Sequence, residues 1–225
     1  MKHKFFFLIL FCGTFFAAFA QQKAVKVACV GNSITYGSGL KDRQADSCPS
    51  VLGRMLGEGY EVQNFGLGGR TMLRKGDRPY IFENRFRDAL SFNPDVVVIK
   101  LGTNDSKPGN RVYIQENFVE DVTALVDSFR LLPSQPTIFL CYPAKVYNNG
   151  LGGISDSIVV ADIIPRVTQA AKELKMQVID LYAVTDSMPQ NFPDNVHPNE
   201  EGAIAIAEAV YKAITGQAKK YCDCE

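Results

Sequence analysis

Seven residues near the middle of the chain, 95–101 (DVVVIKL), restrict the possible folds more than any other stretch. Val96, Val97, Val98 and Ile99 are β-branched, which stiffens the side chain and suits an extended, pleated backbone. Apolar and polar residues do not alternate here, so the run reads as a strand covered on both faces, the environment of a parallel sheet. Four further short runs have a related character: residues 24–30 (AVKVACV), 60–65 (YEVQNF), 137–142 (TIFLCY) and 176–181 (MQVIDL).

Amphipathic stretches separate these runs. Ser47 as N-cap and Pro49 in the first turn open a helix that reaches Leu56. Residues 78–90 are weakly helical. Residues 112–132 place Phe118, Val122, Leu125, Val126 and Phe129 three and four apart, which is one helical face, and Pro133 and Pro136 end it. After a polar loop over residues 145–156, a helix runs to about Leu174, with Pro165 imposing either a kink or a first turn near itself. A last helix, residues 199–214, follows the loop 182–197 and stops at Gly216. Strands alternating with helices predict an α/β fold, a three-layer α/β/α sandwich on a five-stranded parallel sheet. In such sheets ligands bind beyond the carboxyl ends of the strands.

Residues 1–20 begin with Lys2 and Lys4, continue through an apolar run from Phe5 to Phe11, and end in Ala18-Phe19-Ala20. That order predicts a cleavable secretory signal peptide and a secreted or periplasmic protein. Cys12 is preceded by Phe11 where lipoprotein processing needs a small residue. No later segment is long and apolar enough to span a bilayer. Residues 21–225 then form a single domain. Without the signal the chain carries 22 basic and 24 acidic side chains. That balance, with no basic run, gives no reason to expect nucleic acid or an anionic membrane as partner.

Five cysteines remain after residue 20. Cys29 and Cys141 lie in strand-like runs and are expected to be buried. Cys48 is a candidate disulfide partner for Cys222 or Cys224, with the pairing open. One histidine and no Cys-x-x-Cys pair argue against a metal site, and no cofactor is expected. Neither a phosphate-binding Gly-Lys-Ser/Thr nor a Gly-x-Gly-x-x-Gly follows the first strand.

Of two histidines, His3 belongs to the expected signal peptide, which leaves His197 as the sole imidazole. Asp194 stands three residues before it, within reach of the ring on a tight turn. Histidine is the usual general base for a hydroxyl nucleophile. Ser33 follows the first strand, Gly66, Gly68 and Gly69 the second, and Asn104 the third. All these groups therefore fall on one edge of the sheet.

The spaced blocks resemble the SGNH superfamily of esterases, also called GDSL hydrolases. Gly31-Asn32-Ser33 is similar to the first block, with Asn32 where aspartate is commoner. The run from Asn64 to Thr71 is similar to the second, Gly102-Thr103-Asn104-Asp105 to the third, and Asp194-x-x-His197 to the last. The resemblance implies a flavodoxin-like fold and a catalytic triad of Ser33, His197 and Asp194. It also implies an oxyanion hole made by the Ser33 N–H, a glycine N–H and the Asn104 amide. Counting five residues from Asn64 selects Gly69, with Gly66 and Gly68 still open. The Gly69-Arg70-Thr71 corner is similar to the carbohydrate acetylesterase branch, which implies a short-chain ester on sugar as substrate. Arg70 is a candidate for contacting a sugar carboxylate, and Tyr36, Tyr80, Tyr142 and Tyr147 for stacking on sugar rings. A lysophospholipase or thioesterase of the same family, and a non-catalytic carbohydrate-binding protein on this fold, are the alternatives. The oligomeric state is not legible.

Overall fold

Five parallel strands, β1 (Val25–Gly31), β2 (Tyr60–Gly66), β3 (Val96–Lys100), β4 (Thr137–Cys141) and β5 (Gln177–Ile179), form one sheet in the order β2-β1-β3-β4-β5. This computed structural model describes residues 23–148 and 150–221. Residues 1–20 and Cys222 and Cys224 lie outside that range. The helices are α1 (Ser33–Tyr36), α2 (Arg43–Asp46), α3 (Cys48–Leu56), α4 (Asn84–Ser91), α5 (Arg111–Arg130), α6 (Asp156–Ile158), α7 (Ile164–Leu174), α8 (Leu181–Thr185) and α9 (Glu200–Thr215).

Alternation along the strands divides the core into two layers. Ala28, Val30, Val97, Ile99, Ile138 and Leu140 face α4, α5 and α7, where Phe86, Phe118, Phe129 and Val167 meet them. Val27, Cys29, Val98, Phe139 and Cys141 face α3 and α9, against Val51, Leu52, Ile206 and Val210. Apolar pressure from both sides explains why β3 tolerates four β-branched residues in a row. The sandwich expected from the sequence is the one observed.

Three details add to the sequence reading. The helix over residues 78–90 is shorter, because Pro79 opens a single 3-10 turn, Tyr80–Phe82, ahead of α4. At Pro165 the second of the two expectations holds, a first turn near the proline. A wide π-helical stretch, Val159–Ile163, precedes it, and the proline then occupies the first turn of α7, where its missing N–H costs little. Cys48 is a buried free thiol in α3, as are Cys29 and Cys141 in the strands, and its candidate partners Cys222 and Cys224 lie outside the described residues. Among the described residues, no helix is long and apolar enough to cross a membrane.

The strand order reverses direction between β1 and β3, and this is the point at which a doubly wound sheet opens a crevice at its carboxyl edge. Gly31, the last residue of β1, pairs with Gly66 on one side and Lys100 on the other. The turns leaving these three strands are therefore neighbours.

Candidate active site

The turn after β1 is one helical turn, capped at both ends. The Asn32 side chain accepts the Ile34 N–H at 3.0 Å, and Gly37, at φ 91°, closes the other end. Ser33 is the first residue of this turn and is buried. Its seat depends on Gly66. A Cβ at that position would lie 2.2 Å from the Tyr36 backbone nitrogen and 2.7 Å from the Thr35 carbonyl carbon. Backbone of α1 cannot yield as a flexible side chain does. Gly66→Ala is therefore expected to cost about 1–3 kcal/mol by overpacking, read as a fall of roughly 2–12 °C in Tm.

The expected loop 182–197 begins as the short helix α8, and the segment after it, residues 186–197, brings His197 over this turn. Asn195 adopts a left-handed φ of 68°, which asparagine tolerates, and the reversal aims both neighbours inward. Asp194 Oδ1 accepts the backbone N–H groups of Val196 (3.0 Å) and His197 (2.7 Å), while Oδ2 lies 2.6 Å from His197 Nδ1. His197 Nε2 lies 2.7 Å from Ser33 Oγ. Residues 164 apart in sequence are thus joined in one line, carboxylate to imidazole to hydroxyl. Partial burial acts to raise the Asp194 pKa. The His197 backbone and ring N–H groups, with the Val196 N–H, outweigh it and hold the carboxyl below its ordinary value. The loop itself is braced from β4's side: Tyr147 N–H donates to the Asn195 carbonyl at 2.9 Å, and Asn148 Nδ2 to its side chain at 3.1 Å.

The second and third corners meet beside Ser33. Asn104 is almost fully buried, and its Nδ2 donates to the Arg70 carbonyl at 3.0 Å, which sets the carboxamide against the Gly69-Arg70 turn. One amide hydrogen makes that bond and the second is left over. Asp105 carries the following segment, accepting the Met72 and Leu73 N–H groups at 3.0 and 2.8 Å. Burial pushes its carboxyl up to about 6, although those two donors and its own backbone N–H oppose the shift.

Of the three glycines, Gly66 has its N–H committed to Asn64 Oδ1 at 2.9 Å. A Cβ on Gly68 would lie 3.9 Å from the Ser33 Cβ, and Gly69 has φ 77°, so this corner runs directly past the serine.

Other expected contacts turn out differently. Both arms of the Arg70 guanidinium are occupied: Nε and Nη2 meet Glu83 Oε1 at 3.0 and 2.9 Å, and Nη1 donates to the Gly68 carbonyl at 2.7 Å. Arg70 ties its own loop to α4's entrance rather than presenting a fork to a ligand. Tyr80 is fully buried and its hydroxyl donates to the Phe65 carbonyl at 2.6 Å, so it is core and not a sugar platform. Tyr142 pairs with Thr168 at 2.6 Å, Tyr147 stands 5.3 Å from the Phe192 ring, and Arg43 covers Tyr36 at 4.2 Å. Sequence reasoning passed over Glu83 and Lys100, and named Asp105 only as a member of the third block. Only Lys100 left a signal, a charge inside an apolar strand. Among the described residues no cluster of His, Cys, Asp and Glu could hold a metal ion.

Known proteins resemble this chain over most of its length. An acetylxylan esterase of Xylanibacter ruminicola is 41% identical over 212 residues, which cover 86% of this chain and 44% of the relative. The chain thus spans less than half the length of that relative. The rhamnogalacturonan acetylesterase RhgT of Bacillus subtilis is 23% identical over 86% of this chain and 91% of its own. A solved structure of a carbohydrate acetylesterase family member from Sinorhizobium meliloti superposes with a TM-score of 0.64, at 26% identity, covering 84% of this chain and 97% of the other. Residues 29–204, which run from the first strand into the last helix, match the family model described as GDSL-like Lipase/Acylhydrolase. With that match over most of its length, the chain belongs to the GDSL-like lipase/acylhydrolase family.

Proposed function

We propose that the chain is a serine esterase that hydrolyses short acyl esters, acetyl above all, on carbohydrate. The observation that carries this reading is the continuous contact of Asp194, His197 and Ser33 at 2.6 and 2.7 Å. With its proton on Nδ1, toward Asp194, the imidazole offers the Nε2 lone pair to the serine hydroxyl. His197 accepts the Ser33 proton as Oγ adds to the ester carbonyl, then delivers it to the departing alcohol. Water attacks the acyl-serine by the same route, returning the proton to Oγ. Asp194 holds the ring and stabilises its cation.

The oxyanion is received by the Ser33 N–H, the Gly69 N–H and the second Asn104 amide hydrogen. Removing one such donor typically costs ~100- to 1000-fold in turnover. The acetyl preference is supported by the 41% identical acetylxylan esterase and by the rhamnogalacturonan acetylesterase. Arg70 is left out of the substrate contacts, since its fork is spent on Glu83 and Gly68. The signal-like residues 1–20 support action outside the cytoplasm.

Acetate release from acetylated xylan and acetylated pectin, alongside p-nitrophenyl esters of two to twelve carbons, tests the proposal. The expected result is acetate released from polysaccharide, and the highest kcat/KM on the acetyl ester. A preference for octanoate or longer, without acetate release, would instead mark an acyl hydrolase of the lysophospholipase or thioesterase kind. No turnover of any ester by folded protein would leave the carbohydrate-binding reading.

A further inference from the structure

Beneath the nucleophile's turn lies a charge that the triad does not use. Lys100 ends β3, and strand alternation puts its side chain on the face of Val98, under α3 and α9. It is only 4% exposed. A cavity of about 10 Å³ beside it is lined by Cys29, Thr35, Cys48, Cys141 and Ile206. No carboxylate among the described residues forms an ion pair with it. Nζ donates to one acceptor, Asn32 Oδ1, at 3.3 Å. That same oxygen caps α1 through the Ile34 N–H. Asn32 is itself fully buried, and its Nδ2 has no hydrogen-bond partner.

A buried amine with a single amide acceptor weakens a fold, and a methionine of similar length would fill the space without that cost. The thiols facing Lys100 from β1, α3 and β4 supply no counter-charge. Burial pushes Cys48 and Cys141 up to about 12 and Cys29 well above its usual value, which keeps all three neutral. Burial lowers Lys100 to about 8. A costly group retained directly under the active turn calls for a return in function.

We infer that Lys100 is a positioning residue of the esterase, holding the Asn32 carboxamide against the first turn of α1 and so fixing where Ser33 Oγ meets His197. Asn32, the departure from the commoner aspartate, is then one half of a pair with Lys100. An aspartate in its place would meet the ammonium as a buried ion pair, whereas the amide accepts from both Nζ and the helix without carrying charge. The inference rests on Ser33 being the nucleophile.

The test measures kcat and KM on p-nitrophenyl acetate, with thermal melting, for Lys100→Met, Lys100→Arg, Asn32→Ala and the Lys100→Met/Asn32→Ala double variant. Lys100→Met is expected to melt higher than the parent while kcat falls roughly 10- to 100-fold, the effect of a misplaced reacting atom. KM should stay within about threefold, since the acyl pocket is untouched. Lys100→Arg, which keeps a donor under Asn32, should recover most of the lost kcat. The double variant should be no slower than the slower single variant. Full kcat in Lys100→Met overturns the inference. So do equal losses in Met and Arg, multiplied losses in the double variant, or a Lys100→Met that does not fold. Labelling of wild-type Ser33 by a fluorophosphonate separates the two levels: with the label present, such results sink the inference alone, and without it the esterase reading falls too.

Discussion

Ser33→Ala and His197→Ala are each expected to reduce kcat by about a millionfold, with the variant carrying both no slower than either alone. The scale is that of a serine nucleophile and its base acting as one unit, where losing either partner removes the whole covalent route. The geometry gives the reason. His197 Nε2 is 2.7 Å from Ser33 Oγ, and the sequence after residue 20 has no second imidazole to replace it. A hydroxyl without a base within hydrogen-bond reach is a poor nucleophile at neutral pH. Both variants should retain the parental melting behaviour within a few degrees. Ser33→Ala removes one oxygen from a turn held by Asn32 and Gly37, and His197 is only partly buried, with its ring bonded to Asp194 and Ser33. Single-turnover kinetics on p-nitrophenyl acetate, with melting curves, check both parts. Losses that multiply in the double variant would mean that the two side chains act separately.

Asp194→Asn is expected to lower kcat by about ten-thousandfold, a smaller loss because the nucleophile and base remain. The asparagine can still accept the Val196 and His197 backbone N–H groups through Oδ1, so the turn survives. Its NH2 group, however, faces Nδ1 as a donor. The imidazole then favours the tautomer with its proton on Nε2, the wrong nitrogen for receiving one from Ser33. The native carboxylate also links this site to pH. Its folded pKa is depressed, so the stability it contributes is fully present above its unfolded value and is lost as pH falls through the lower folded value. No loss from this source is expected at pH 5. Below roughly pH 4 the difference in Tm between the parent and Asp194→Asn should shrink. A difference that widens on acidification would contradict the depressed value.

The chemistry-bearing corners were legible in the chain because each sits at a strand end that the apolar pattern marks. Residues 95–101 announced a strand covered on both faces, and Asn104 followed from its end. Asp194 and His197 are local to one turn, so their mutual contact is a short-range property. What the sequence could not carry is partnership across the fold. Arg70 reads as a free guanidinium until Glu83, thirteen residues away, is seen to occupy it. Tyr80 reads as a loop aromatic until its hydroxyl is found on the Phe65 carbonyl, fifteen residues back. Gly66, Gly68 and Gly69 look alike as letters. They separate only when Gly66 is found touching α1, with its N–H spent on Asn64. The burial of Cys48 in α3, against the β1 face, is likewise a tertiary fact.

The central claim is that the hydroxyl of residue 33 attacks, and that the imidazole of residue 197 makes it able to. Treatment with a biotinylated fluorophosphonate, followed by intact mass and peptide mapping, addresses it most directly. One phosphonyl group per chain is expected, on the peptide bearing Ser33. It should be absent in Ser33→Ala and slowed by several orders of magnitude in His197→Ala. An adduct on a different serine, or an undiminished labelling rate without His197, would contradict the account.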